Sequence, residues 1–214
     1  MHLHDRFAEF LSASEIIEAT PALLNDQRRR FVSSPDIVLQ PNSVESVQKI
    51  MRFCFENRIR VTPQGGNTGL CGATVITKGV LLNLSKLNRI RDINLADNSM
   101  TVEAGVILQN AQKAAAEAGR LFPLSLASEG SCQIGGNIAC NAGGLNVLRY
   151  GSMRDLVLGL EVVLPNGELV SHLQPLHKNT TGYDLRHLFI GSEGTLGIIR
   201  SEEHTSELQS PLII

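Results

Sequence analysis

The sequence predicts an α+β fold, and three observations carry that prediction. An apolar strand, an amphipathic helix and a second strand follow one another between Asp36 and Thr62, the pattern of a parallel pair joined by a right-handed crossover. Two later strand pairs flank the turn residues Ala96-Asp97-Asn98-Ser99 and Pro165-Asn166-Gly167 and read as antiparallel hairpins. Apolar residues make up 43% of the 214-residue chain, enough to bury a core and to exclude a wholly disordered chain.

The elements follow in order. Residues 1–30 read as a polar, helical lead-in ending in Arg28-Arg29-Arg30, a basic run expected on a solvated helix face. Asp36–Gln40 is a buried strand that Pro41 stops. Asn42 or Ser43 caps the next helix; Glu45 sits in its first turn, and Val44, Val47, Ile50 or Met51, and Cys54 share one face. Arg60–Thr62 is the returning strand and Val80–Leu84 another. Arg91–Asn94 and Met100–Glu103 form the first hairpin. Ile107–Ala118 is an alanine-rich helix ended by Gly119. Arg120–Asp155 reads as a long loop region. Leu156–Leu164 is an apolar strand that turns at Asn166-Gly167 into Glu168–Ser171, and a short helix near Asp184–Leu188 leads to a strand at Leu196–Ile199.

Charge and composition exclude several functions. Nineteen Lys and Arg against 21 Asp and Glu give a net charge of −2, which argues against a nucleic-acid or anionic-membrane surface. No apolar run reaches the roughly 18 residues of a membrane span. Met1–Ser12 mixes charges with apolar residues and lacks a signal-peptide stretch, so the expected compartment is the cytoplasm. Cys54, Cys71, Cys132 and Cys140 form no C-x-x-C pair and are expected as buried or half-buried thiols, not zinc ligands. The six histidines are scattered, so no metal site is expected.

All 19 glycines fall between Gly65 and Gly197, and they cluster. Gly65-Gly66-Asn67-Thr68-Gly69 follows a strand, where successive backbone N–H groups can form a nest for anionic oxygens; Asn67 and Thr68 add side-chain donors. A second cluster runs from Ser128 to Gly144, and a third is Gly191-Ser192-Glu193-Gly194-Thr195-Leu196-Gly197. No P-loop lysine follows the first cluster and no G-x-G-x-x-G occurs, which disfavours a P-loop NTPase and a Rossmann site. Three distant clusters make sense together if they line one extended nucleotide. Aromatic residues are only 4% of the chain and Trp is absent, so backbone and small side chains would cradle it.

The segments PQGGNTGLCG (63–72), GSCQIGGNIACNAGG (130–144), LRYGS (148–152), LGLEVVLPNGE (158–168), NTTGYDL (179–185) and FIGSEGTLGII (189–199) resemble, in order and spacing, the FAD-binding domain of the vanillyl-alcohol-oxidase (PCMH) type of flavoprotein. The resemblance covers about Pro35 to Ile199 and is nearest to D-2-hydroxyglutarate dehydrogenases. It implies a small parallel α/β subdomain and a larger mixed, mainly antiparallel one, with FAD between them. It implies that Gln64, Gly65, Gly66, Asn67, Thr68 and Gly69 surround the pyrophosphate. Gly130, Ser131, Gln133, Ile134, Gly135, Gly136 and Asn137, with Asn141 and Gly144, would line the cofactor further along. Gly194, Leu196, Gly197 and Ile198 would close the adenine–ribose side. Some relatives attach flavin through a His in the first loop; Asn67 stands there in this chain, with no His between His4 and His172, so the expected FAD is non-covalent.

The implied reaction oxidises a D-2-hydroxy acid, foremost D-2-hydroxyglutarate, to the 2-oxo acid by hydride transfer from C2 to flavin N5. A glycolate- or D-lactate-type dehydrogenase, or a flavin-binding fragment without turnover, is the alternative, and a non-redox nucleotide binder a weaker one. The implied partners are a small 2-hydroxy acid and an unidentified electron acceptor, with no nucleic acid. In the family the catalytic base and any metal belong to a carboxy-terminal substrate domain, so no catalytic residue is nominated. Arg149, Arg154 and Lys178 are read as surface residues, Glu193 as structural, and Tyr150 and Tyr183 as packing residues with bonded hydroxyls. Residues 200–210 (RSEEHTSELQS) resemble one reading frame of a sequencing-library adapter. The expected organisation is therefore a lead-in (1–30), an FAD-binding domain incomplete at its carboxyl end (31–199) and a non-native tail (200–214). Ile199 would then end inside a sheet and leave an unpaired edge, at a cost in solubility.

Overall fold

The computed structural model describes residues 2–173, 180–205 and 207–208. Its first thirty residues are not one helix. α1 (Leu3–Ala8) and α2 (Pro21–Leu24), separated by β1 (Ile16–Ile17), are short, and β1 runs antiparallel to β2 (Ile37–Leu39). The β-branched pair Ile16-Ile17 favours extended backbone, which draws the lead-in into the first sheet. Phe7 anchors it: the ring is fully buried, with its centroid 4.9 Å from that of Phe53. Glu15 adds a polar tie, accepting from Ser12 N–H and Oγ–H at 3.0 and 2.8 Å and from Asn42 N–H at 3.2 Å. Arg28–Arg30 are exposed but lie in a turn, with Arg29 at φ 54°, and not on a helix face.

α3 (Val44–Glu56) starts at the expected cap, Ser43, whose Oγ accepts from Ser46 N–H at 3.1 Å, and it buries Val47, Ile50, Met51 and Cys54. β3 (Val61–Gln64) and β4 (Val80–Asn83) complete a sheet of order β1-β2-β4-β3. β4 is parallel to both neighbours and separates β2 from β3, the two strands expected to pair. Its four residues are all buried, as befits a strand covered on both faces.

The larger half begins with the expected hairpin of β5 (Ile90–Asn94) and β6 (Ser99–Glu103), followed by α4 (Leu108–Glu117) and β7 (Arg120–Leu121). The stretch read as a long loop contains α5 (Ile134–Ala139), α6 (Val147–Tyr150) and α7 (Met153–Leu156). Its glycines hide these helices, yet Ile134 and Ile138, one turn apart in α5, are both fully buried. β8 (Val157–Val163) and β9 (Leu169–His172) form the second hairpin, and α8 (Arg186–Phe189), β10 (Ile198–Thr205) and β11 (Glu207–Leu208) follow. The main sheet has the order β5-β6-β10-β8-β9 and is antiparallel throughout.

β10 is the central strand, and its backbone runs on to Thr205, paired with β6 and β8. The unpaired edge expected at Ile199 is therefore not there. Ladder bonds are made by main-chain groups, which any extended non-proline segment supplies. Arg200 is buried, with Nη1 donating to Glu161 and Nη2 3.8 Å from the Glu103 carboxylate; Ser201 Oγ–H donates to Val102 O at 3.0 Å.

One core lies beneath the antiparallel sheet, around Met100, Leu108, Ile134, Ile138 and Met153. A second gathers Phe7, Leu39, Ile50 and Leu82 and takes in Val163 and Ile198 from the larger half, and a small third one holds Val38, Ile76 and Leu81. Those two residues and the Gln48 Nε2–H bond to Gly167 O, 3.1 Å, stitch the halves along a seam. No helix among the described residues is long and apolar enough to cross a membrane.

Candidate functional site

β3 ends at Gln64, at the carboxyl edge of the parallel strands, where ligands of such sheets commonly bind. The loop beyond it is fixed by two side-chain amides. Gln64 Nε2 donates to Leu23 O at 2.9 Å. Asn67 Nδ2 donates to Ala22 O and Asn25 O at 3.0 and 2.7 Å, and its Oδ1 accepts from Thr74 Oγ1–H at 2.9 Å. Asn67 adopts φ 52°, a left-handed conformation asparagine tolerates. Its amide is therefore committed to the lead-in and is not the free donor the sequence suggested. What this loop offers is backbone: among the described residues nothing accepts a hydrogen bond from the N–H groups of Gly65, Gly66, Asn67, Thr68 or Gly69.

The second cluster packs directly on the first. A Cβ on Gly66 would fall on the Ser131 carbonyl, and one on Gly65 would lie 3.2 Å from Gln133 Oε1. At the start of α5, Ile134 N–H and Gly135 N–H are used by Val106 O and Ala104 O at 2.9 and 2.8 Å, whereas Gly136 faces open space. The third cluster hangs from the far end of α5 through Gly191 N–H to Ile138 O, 3.1 Å, and Glu193 N–H to Ala139 O, 2.9 Å. Gly194 lies against the Pro63 ring of β3 so closely that no Cβ could fit.

The three clusters thus converge on one cleft of about 340 Å³, walled by the 65–71 loop, Thr74, Ser128, Gln133, Gly136, Asn137, Cys140 and Glu193. A smaller cavity of about 80 Å³ shares Gly65, Gly136 and Glu193 with it and reaches Gln64, Gly135, Gly194, Gly197 and Ile198. The size is that of a small-molecule site. Among the described residues no Lys or Arg stands in either wall, and Glu193 is the charged residue there. Gln133 Oε1 is buried in the wall without a hydrogen-bond partner, a situation that costs about 1–3 kcal/mol. The open amides call for anionic oxygens and the Gln133 oxygen calls for a donor. A nucleotide diphosphate carries both.

Not every expected residue is in the walls. Ile134 is fully buried in the larger core. Asn141 Oδ1 accepts from Arg154 N–H at 2.9 Å, Gly144 backs onto the Ser125 carbonyl, Gly130 sits beside Gln109, and Ser131 meets the site through its carbonyl. Leu196 is exposed outside both walls. Arg154 is not a free surface cation: its guanidinium donates to His187 O at 2.9 Å and to Ile190 O, holding the chain before the third cluster. Arg149 stacks on Tyr150, 5.1 Å from the ring centre, and Tyr150 packs on the larger core, but Tyr183 is 95% exposed and packs on nothing comparable. Lys178 lies outside the described residues. Of the cysteines, Cys54 and Cys132 are buried as expected, whereas Cys71 and Cys140 are exposed. Burial pushes the Cys54 thiol up to about 12. Desolvation of its sulfur at the cleft wall, then the charges of Glu193 and Cys71, raise the Cys140 thiol although the residue as a whole is exposed. Thr74, Cys140 and Glu193 are wall residues outside the expected cofactor set; Glu193, next to Gly194, is read from the sequence as structural, and no local signal marks Thr74 or Cys140.

The FAD binding domain family matches residues 35–172. A D-2-hydroxyglutarate–pyruvate transhydrogenase of Saccharomyces cerevisiae is 42% identical over 199 residues, 90% of this chain and 40% of that protein. A D-2-hydroxyglutarate dehydrogenase of Xanthomonas citri is 47% identical over 187 residues, 87% of this chain and 39% of that protein. The chain thus spans about two fifths of the length of these relatives. Among solved structures, an alkyldihydroxyacetonephosphate synthase superposes with a TM-score of 0.83 over 97% of this chain and 39% of its own, at 19% identity, a likeness of fold.

Proposed function

The chain belongs to the FAD binding domain family, and from that premise we propose that it is the flavin-holding part of a D-2-hydroxy-acid dehydrogenase, with D-2-hydroxyglutarate as the whole protein's substrate. One observation carries the assignment of the cleft: the same wall holds the Gly65–Gly69 loop, whose five N–H groups have no acceptor among the described residues, and the buried Gln133 Oε1, which has no hydrogen-bond partner there either and lies against Gly65. When bound there, FAD supplies the hydride acceptor for oxidation of a 2-hydroxy acid to a 2-oxo acid.

The protein's part is to bind and orient. The Gly65–Gly69 amides would hold the pyrophosphate oxygens, in the place of the cations that the described walls lack. Gln133 Oε1, which has no partner among the described residues, would accept from a hydroxyl or N–H of the nucleotide. Gly136 and Asn137 line the path beside it, and Gly194, Gly197 and Ile198 close the inner end. Gln64 and Asn67 act at one remove, pinning the loop to the lead-in. Asn67 has no nucleophilic atom to offer and its amide is engaged, which supports non-covalent FAD. Acid precipitation should leave a colourless pellet and a yellow supernatant; flavin retained on the polypeptide would contradict this.

The names of the two relatives support the substrate. The test is anaerobic addition of D-2-hydroxyglutarate to the FAD-loaded full-length parent protein. The flavin band should bleach. Bleaching by D-lactate or glycolate alone would move the substrate assignment, and no bleaching by any 2-hydroxy acid would end it. The cytoplasm is the proposed compartment, checked by fractionating cells that express the tagged parent; recovery in an organelle would refute it.

A further inference from the structure

Cys71 and Cys140 take no part in the binding just described. They come from different glycine clusters, are both exposed and lie on walls of the same cleft. Ala73 and Thr74, just beyond Cys71, share the 80 Å³ inner cavity with Ala139 and Cys140, so the two segments face each other across a narrow gap. Both residues line the 340 Å³ cleft, and the charge of Cys71, after burial and Glu193, helps to raise the Cys140 thiol.

We propose that Cys71 and Cys140 are a dithiol modification site, oxidised by hydrogen peroxide to a disulfide that closes the cleft to FAD. The exclusion of FAD rests on the flavin reading of that cleft; the cross-link does not. One thiolate attacks a peroxide oxygen and breaks the O–O bond, giving a sulfenic acid and hydroxide, which leaves as water with the thiol's proton. The second thiolate attacks the sulfenic sulfur, the S–O bond breaks, and a second water leaves. Two thiols lose two electrons and peroxide gains them. A disulfide needs its Cα atoms within about 7 Å, so the bridge draws the 69–74 loop onto the carboxyl end of α5 and fills the space between. Cys54 and Cys132 are buried and stay out of the reaction.

The test treats the purified chain with peroxide, maps its peptides without reduction, and titrates FAD by fluorescence before and after. The expected result is a peptide joining residues 71 and 140, lighter by two hydrogens. FAD affinity should fall at least about tenfold, with recovery in dithiothreitol. Cys71→Ser and Cys140→Ser should each abolish the cross-link and keep their own FAD affinity through peroxide. Separately oxidised cysteines with no 71–140 peptide would overturn the proposal, as would a cross-linked chain that binds FAD as tightly as the reduced one. A reduced chain that never takes up FAD, yet cross-links, would refute the flavin reading and the exclusion with it.

Discussion

Gly66 and Gly136 line the same cleft and should answer oppositely to one added carbon. A methyl on Gly66 meets the Ser131 carbonyl, an overpacking worth roughly 1–3 kcal/mol; Gly66→Ala should lower the melting temperature and abolish FAD binding. A methyl on Gly136 meets nothing within 4 Å and replaces glycine inside a helix, which favours folding by roughly 0.5–1 kcal/mol. Gly136→Ala should therefore melt higher yet bind FAD more weakly, because its methyl enters the cleft. Paired melts and FAD titrations decide both, and a Gly136→Ala chain with unchanged affinity would place the ligand elsewhere. Glycine clusters were legible in the sequence because few other residues allow so close an approach of backbone. The duties of Gln64 and Asn67 were not, because their partners are carbonyls of Ala22, Leu23 and Asn25, some forty positions away, and spacing does not encode such pairings.

The same limit governs the elements. α3 and the two hairpins were readable because each is signalled locally, by a cap, an apolar face or an Asn-Gly turn. α5 was not, because Gly135 and Gly136 mask it, and β4's place between β2 and β3 is a fact of topology that no local pattern states. The lead-in was misjudged for a related reason: Glu15 looks like a surface carboxylate but is 3% exposed. Burial works to raise its pKa, but hydrogen bonds from Ser46, Ser12 and Asn42 outweigh that and hold it below its ordinary value of 4.5. A depressed folded-state pKa means stability that is fully present above that value and is lost as pH falls through the depressed one. Glu15→Gln should cost about 1–3 kcal/mol at pH 7 and flatten the loss of stability in acid, measured by denaturant titration at pH 7 and 3. An unchanged acid profile would mean that Glu15 does not tie the lead-in to α3.

At the scale of the molecule, the four-stranded and five-stranded sheets meet along one seam and the cleft opens on it, so both halves must be complete for the site to form. β10 carries the larger half as its central strand. We propose that residues 200–214 are a non-native tail; β10 takes it in through main-chain pairing with β6 and β8, to which Arg200 and Ser201 add buried side-chain contacts with Glu161, Glu103 and Val102. Glu203 lies opposite Thr101 and Gly159. Glu203→Pro should destroy the cooperative melt, since proline cannot donate within an interior strand, whereas Glu203→Thr should leave it intact; equal melts for the two would show that this strand is not central. The claim on which the rest depends is that three distant glycine clusters form one flavin site. It is tested most directly by mixing the purified chain with excess FAD, removing free nucleotide by gel filtration, and recording the visible spectrum. The account predicts a yellow protein peak with equimolar flavin, and a colourless one would contradict it.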